Sequence, residues 1–361
     1  MLSRRDFISL LTVAGISPLI LNSKDLDGNR NKYYFDENPE NYKLKSSTRI
    51  LPNALRPGSK IAITAPASPT SLGEIAETVR ILKNLGCTVE VGDTIKNKTS
   101  SFRYLSNSDD TRAKEFMSFV ERKDIDCILC GRGGYGVMRI LNLLDFEKIK
   151  NNPKIIMGFS DITALINSIY NITGLVSFHG PVASTPFDNF TLDYFKKVVY
   201  QNSNFAPIQF HSDNITVINN GEAQGKLVGG NLRMLISTLG TPYEIDTENS
   251  ILFIEEVSES AYQIDRMLTQ LILSGKLTDC NGIIMGQFKD LDKRTSFFPT
   301  KSFTIREVIE QIITPLDIPA IFGMPFGHIQ NKLTIPIGIQ AELNATKKNF
   351  SIIEPSVIYS V

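Results

Sequence analysis

A chain of 361 residues that is 42% apolar and 21% charged carries enough material for about two domains with cores of their own, which excludes disordered, collagenous and coiled-coil classes. Lys plus Arg and Asp plus Glu each number 38, so no net field selects nucleic acid or an anionic membrane surface, and a small neutral or zwitterionic substrate fits better. Four cysteines in so long a chain exclude a disulfide scaffold.

The first segment, 1–22, has the twin-arginine export pattern: Ser3-Arg4-Arg5-Asp6-Phe7-Ile8 leads into an apolar run that ends at Leu21. That run, interrupted by Ser, Thr and Pro, falls short of the roughly 20 residues a spanning helix needs. The expectation is delivery to the periplasm. The best small-x-small cleavage site, Gly15-Ile16-Ser17, is followed by Pro18, so an uncleaved N-terminus acting as a membrane tether is the second expectation. Residues 23–49 are polar and read as a linker.

From Lys60 short apolar runs alternate with amphipathic stretches. Strands are predicted at Ile61–Ala65, Thr88–Val91, Cys127–Cys130 and Ile155–Phe159, with helices at Ser71–Leu85, Ser108–Arg122, Val137–Leu144 and Ile162–Ile169. Strand and helix in alternation mean a parallel sheet covered on both faces, with its sites at the C-terminal strand ends. The loops to watch are therefore 65–70, 131–136 and 160–163. This first domain is placed at 50–203. A second, mixed α/β domain, 204–361, carries strands at Ile215–Ile218, Ile251–Ile254 and Gly282–Gly286 and helices at Asn231–Leu239 and Ala261–Ser274.

Ser160 lies between a strand and a helix start, in Gly158-Phe159-Ser160-Asp161-Ile162. A serine on such a turn is either a nucleophile elbow, with the following N–H groups free for an oxyanion, or a plain helix N-cap. Gly131-Arg132-Gly133-Gly134-Tyr135-Gly136 matches a dinucleotide fingerprint, but it follows the third strand rather than the first. Its glycines equally suit close backbone approach to a substrate carbonyl. A serine nucleophile needs a base, and there are three histidines. His179 and His328 lie in loop-like Gly/Pro settings and His211 in a polar turn. No i, i+4 histidine pair supports zinc, and Cys127-x-x-Cys130 reads as buried strand, so no metal is expected. Glu255 and Glu256 end an apolar strand, either as partners of a histidine or as a solvated pair.

In order along the chain, Pro57-Gly58-Ser59-Lys60-Ile61-Ala62-Ile63, Arg132-Gly133-Gly134-Tyr135-Gly136, Gly158-Phe159-Ser160-Asp161-Ile162-Thr163, His179-Gly180-Pro181, Gly229-Gly230-Asn231-Leu232, Leu252-Phe253-Ile254-Glu255-Glu256 with Asp265-Arg266, and Phe326-Gly327-His328 resemble the LD-carboxypeptidase family of serine peptidases. That family includes muramoyl-tetrapeptide carboxypeptidases and microcin-immunity peptidases. The resemblance implies a flavodoxin- or amidotransferase-like N-terminal domain and a smaller C-terminal domain, with the active site in the cleft between them and no cofactor. It makes Ser160 the nucleophile, Glu255 the orienting carboxylate and His328 the base. The N–H groups of Asp161 and of Gly134, or of Gly133, would face the oxyanion, and Arg132 and Tyr135 would contact substrate. Glu256 stands where the family leads one to expect Asp, leaving two adjacent glutamates to face His328.

The implied substrate is a peptidoglycan stem tetrapeptide, cleaved at the L,D-bond before its terminal D-alanine through an acyl-enzyme. A homodimer is the expected assembly. Three rivals remain at this stage: an immunity-type amidase acting on peptide-nucleotide antibiotics, a periplasmic muropeptide-binding protein without turnover, and a nucleotide-dependent enzyme using the glycine loop.

Overall fold

A computed structural model describes residues 48–97, 102–185, 187–200, 205–289 and 302–359. The twin-arginine segment and nearly all of the linker lie outside the described residues, and those described fall within one compact unit, Glu40–Val361. Among them no helix is long and apolar enough to cross a membrane.

The first sheet is built from β1 (Lys60–Thr64), β2 (Thr88–Val91), β3 (Cys127–Cys130), β4 (Ile155–Gly158) and β5 (Ser177–His179). These five strands are parallel, with β1 between β2 and β3 and with β4 joining β3 to β5. β3 and β4 are buried at every position, which is why they read as unbroken apolar runs rather than alternating ones. The sheet is completed by β12 (Ile335–Ile337), which comes from the far end of the chain and pairs antiparallel with β5, Ile335 opposite His179.

The covering helices are α1 (Leu72–Asn84), a single turn α2 (Asp93–Lys96), α3 (Asp109–Glu121), α4 (Phe146–Asn151), α5 (Thr163–Thr173) and α6 (Asn189–Val199). α1 starts at a reciprocal capping box between Ser71 and Glu74, and the Ser108, Asp145 and Asp188 side chains each accept an orphan N–H at the head of α3, α4 and α6. Each such cap is worth about 1 kcal/mol. Val137–Leu144 differs from its sequence reading. Instead of a helix it forms two 3-10 turns, Val137–Arg139 and Leu141–Leu143. Its turns close through i to i+3 bonds, from the Ile140 N–H to the Val137 carbonyl and from the Leu144 N–H to that of Leu141, while the Val137 N–H, an orphan at the head of any helix, is taken by the Asp161 carboxylate at 2.8 Å.

The second sheet has eight strands in the order β6-β14-β13-β8-β9-β10-β11-β7. They are β6 (Ile208–His211), β7 (Thr216–Asn219), β8 (Glu222–Asn231), β9 (Ser250–Val257), β10 (Gly282–Lys289), β11 (Ala320–Phe322), β13 (Gln340–Asn344) and β14 (Asn349–Ile352). β8 to β11 run parallel at its centre, and antiparallel pairs close both sides. α7 (Leu232–Thr238) follows β8, α8 (Ala261–Leu273) follows β9 and α9 (Ile305–Ile312) precedes β11.

The two sheets meet where the end of β8 lies against α5. Asn167 donates to the Gly229 carbonyl at 2.8 Å, and the Asn231 N–H donates to Thr163 Oγ1 at 3.0 Å. A Cβ on Gly230 would sit 2.6 Å from Thr163 Oγ1, so only glycine permits this approach. The C-terminal ends of β4 and β9 are thereby brought to one cleft.

Candidate active site

Ser160 stands just beyond the end of β4, with Phe159 between them, at φ +65°, a left-handed conformation that costs a non-glycine residue about 1 kcal/mol or more and is kept only where packing enforces it. The enforcing contact is beneath it. A Cβ on Gly158 would lie 2.8 Å from Ile162 Cγ2, so Ile162 fills the space that a second glycine leaves open in the commoner elbow sequence. The turn continues as the 3-10 segment Ser160–Ile162 and then α5.

His328 reaches this hydroxyl from the loop between β11 and β12. Its Nε2 accepts from Ser160 Oγ at 3.1 Å, and its Nδ1–H donates to Glu255 Oε2 at 2.7 Å. The carboxylate fixes the tautomer, since only a protonated Nδ1 can donate to it. Gly327 makes the approach possible, because a Cβ there would fall 2.5 Å from Glu255 Oε2 and its φ is +96°. The β12–β5 pairing anchors the other end of the loop on the first sheet. Phe159 supports the imidazole edge-on, with ring centroids 4.9 Å apart.

The two adjacent glutamates separate cleanly. Glu255 is fully buried and faces His328. Glu256 points to the other face of β9, accepting from Asn231 Nδ2 at 3.0 Å, from the Arg233 N–H at 2.8 Å at the head of α7, and from the Val257 N–H at 2.9 Å. Burial, with Glu255 adding to it, pushes the Glu256 carboxyl up to about 7 against the pull of those donors. The solvated reading of this pair does not hold, since both side chains are buried.

The glycine loop closes over the elbow. A Cβ on Gly133 would meet Ser160 Cβ at 2.8 Å and Oγ at 3.1 Å, so the peptide that carries the Gly134 N–H borders the hydroxyl. Gly134 itself rests on Ser68, whose Oγ accepts from the Tyr135 N–H at 3.0 Å and donates to the Tyr104 carbonyl at 2.8 Å. Asp161 is buried, its carboxyl raised above the usual range by that burial, and locks the loop's end through Val137. Arg132 is half exposed and paired with Glu74 at 3.3 Å. Tyr135 is exposed and meets Tyr104 edge-on at 5.6 Å. Neither contacts the Ser-His-Glu line.

Two supporting residues escaped the sequence reading. Arg112, an arginine within an amphipathic helix, is fully buried. Its Nη1 donates to the Pro66 carbonyl and, at 2.9 Å, to that of Gly136, tying together two of the loops at the C-terminal strand ends. A guanidinium on a helix's apolar face is the signal that could have found it. Lys332 is buried with its Nζ 5.5 Å from the Phe159 ring centroid, and desolvation lowers it to about 8. It follows Gln330 and Asn331, and nothing local marks it. His179 is not in a loop. It ends β5 and is 1% exposed. His211 ends β6 and is exposed, 3.6 Å from Asp213. Cys127 and Cys130 are buried free thiols whose ionisation burial opposes.

A hydroxyl, an imidazole and a carboxylate in line, with backbone N–H groups beside the hydroxyl, can activate that oxygen for attack on an acyl carbon.

Comparison with known proteins supplies the context. The LD-carboxypeptidase N-terminal domain matches residues 61–180 and the LD-carboxypeptidase C-terminal domain residues 224–343. The probable murein peptide carboxypeptidase of Bacillus subtilis (strain 168) is 38% identical over 315 residues, 86% of this chain and 96% of that protein. The solved structure of MccF in complex with glutamyl sulfamoyl guanosine superposes with a TM-score of 0.77 at 26% identity, covering 85% of this chain and 99% of that one. Muramoyltetrapeptide carboxypeptidase from Oxalobacter formigenes superposes with a TM-score of 0.70 at 27% identity, covering 82% and 99%.

Proposed function

The chain belongs to the LD-carboxypeptidase family, and from that premise we propose that it is a serine-type murein peptide carboxypeptidase releasing the terminal D-alanine of stem tetrapeptides. The observation that carries the reading is the continuous contact from Ser160 through His328 to Glu255, at 3.1 and 2.7 Å.

In this mechanism His328 Nε2 takes the Ser160 proton as Oγ attacks the carbonyl before D-alanine, and Glu255 stabilises the imidazolium that forms. Backbone N–H groups of Asp161 and Gly134 receive the developing oxyanion, each worth about 3 kcal/mol of barrier. The imidazolium then protonates the leaving amine as the C–N bond breaks, which frees D-alanine and leaves an ester on Ser160. Water, giving its proton to His328, attacks that ester and releases the tripeptide. A neutral imidazole is required at the start, so the rate falls on acidification. Arg132 and Tyr135, on the loop beside the nucleophile, are proposed substrate contacts.

The test is mass spectrometry of muropeptides treated with the protein and with Ser160→Ala. Loss of one alanine mass with the parent alone supports the reading, and the same loss with both ends it. The likeness to MccF favours one second reading, hydrolysis of a peptide-nucleotide amide. Incubation with an aminoacyl sulfamoyl nucleoside separates the two, since only the second reading expects its turnover to exceed that of the tetrapeptide. Export by the twin-arginine route is likewise proposed, on the pattern Arg4-Arg5 before an apolar run.

A further inference from the structure

His179 takes no part in the reaction as proposed, yet it sits at the centre of the segments that make the site. Three rings face it: Phe159 at 6.1 Å, Phe253 at 5.3 Å and Phe326 at 6.1 Å between centroids. Phe159 immediately precedes Ser160. Phe253 lies two residues before Glu255 on the same face of β9, and Phe326 lies two residues before His328. The aromatic box around His179 is thus built from one residue of each segment that delivers a member of the Ser-His-Glu line.

An apolar side chain would fill such a box without any polar requirement. A histidine brings two ring nitrogens, and neither has a hydrogen-bond partner. An unmet buried donor costs as much as a typical hydrogen bond contributes, or more. The charged and titratable groups that act on the ring are Glu255 from β9, with His328 and Lys332 from the loop before β12. Burial lowers the imidazole to about 4, so the ring is neutral and offers one N–H donor and one acceptor. Glu255 supplies the matching group. One of its oxygens, Oε2, is on His328, while the other, Oε1, is equally buried and equally without a partner.

We infer that His179 is a positioning residue for Glu255, its ring N–H donating to one bound water that in turn donates to Glu255 Oε1. A water so placed satisfies an orphan on each side and stops the carboxylate from rotating its charge away from His328. The same link makes the box a register gauge, since β5, β9 and the His328 loop must all be seated for it to close. The inference rests on the reading of Glu255 as the group that orients His328.

With only three histidines in the chain, imidazole NMR resolves each one, and it reports on His328 without reference to any substrate. In His179→Phe the box keeps a ring but Oε1 loses its donor, so the carboxylate is free to rotate its charge away from His328 and stabilises the imidazolium less. The His328 midpoint is expected to fall by about half a pH unit or more. On tetrapeptide, kcat should fall about tenfold with KM unchanged. His179→Asn, which can still bond the water, should recover much of both.

In the parent, the His179 N–H proton is expected to be slow to exchange at neutral pH. This measurement needs no variant, so it holds even where His179→Phe does not fold. A parent N–H that exchanges freely, a His328 midpoint unmoved in folded His179→Phe, or equal effects in the Phe and Asn variants would overturn the inference. Absence of alanine release by the parent, by contrast, would count against the proposed function and leave these NMR outcomes readable.

Discussion

Adding one methyl group at Gly133 should damage the chemistry more than the fold. Gly133 does not share the positive φ of Gly134 and Gly136, so alanine meets no backbone strain there. The cost is contact. The new Cβ would lie 2.8 Å from Ser160 Cβ, 3.1 Å from its Oγ and 3.2 Å from the Phe159 carbonyl, whereas carbons pack at about 3.5–4.0 Å. About 0.7 Å must therefore be made up between the loop and the elbow. Ser160 cannot retreat, because its turn is already at φ +65° and Gly158 beneath it is closed by Ile162.

The glycine loop must lift, carrying the Gly134 N–H away from the oxyanion position. A misplacement approaching 1 Å costs about 100-fold in rate, equivalent to about 3 kcal/mol of barrier, while overpacking costs about 1–3 kcal/mol of stability. The assay is kcat/KM for D-alanine release beside thermal unfolding, with Gly73→Ala as the control. In that control the added Cβ comes no nearer than 4.0 Å to any neighbour and sits within helix α1. A Gly133→Ala protein with kcat/KM within threefold of the parent would refute the argument that this close approach builds the oxyanion site.

Glu255→Gln should retain the fold and lower kcat by about 10³- to 10⁴-fold, because a carboxamide no longer enforces the Nδ1–H tautomer of His328. Steady-state kinetics beside a circular-dichroism spectrum checks this. Stability on the acid side carries the signature of His179, which burial lowers from the ordinary 6.5 to about 4. Between those two pH values the unfolded chain binds more protons, so stability present above pH 6.5 is lost as the pH falls toward 4, by about 3 kcal/mol. Denaturant titrations at pH 7 and pH 4 should show that loss reduced by a similar amount in His179→Phe, and parallel losses in both proteins would contradict it. Arg112→Met should lower the melting temperature and kcat together, since the Pro66 and Gly136 carbonyls lose their shared donor and two loops of the site come apart. A variant with lowered stability but unchanged kcat would limit Arg112 to the core. Fractionation after Arg4→Lys with Arg5→Lys should find the protein retained in the cytoplasm, and undiminished delivery to the periplasm would defeat the export reading.

β1 to β4 of the first sheet and β7, β9 and β10 of the second could be read before any coordinates, because hydrophobic period depends on local burial alone: Cys127–Cys130 and Ile155–Gly158 announce covered parallel strands by having no polar face. Ser160 was legible for a similar reason, since a strand-turn-helix junction with Gly158 behind it limits what the serine can be. What sequence left open was always a matter of faces and partners far apart in the chain. Glu255 and Glu256 are chemically alike and adjacent, and only the packing of β9 between two layers decided that one meets His328 while the other caps α7. Val137–Leu144 has a helical pattern, but its turns close through i to i+3 bonds, from Ile140 to Val137 and from Leu144 to Leu141. His179 looked like a loop residue until β12 returned from beyond residue 330 to pair with it. Local propensity fixes what each segment tends to be. Which segments touch is settled by the one arrangement that buries every apolar face at once, and that arrangement brings Ser160, Glu255 and His328 to a single point.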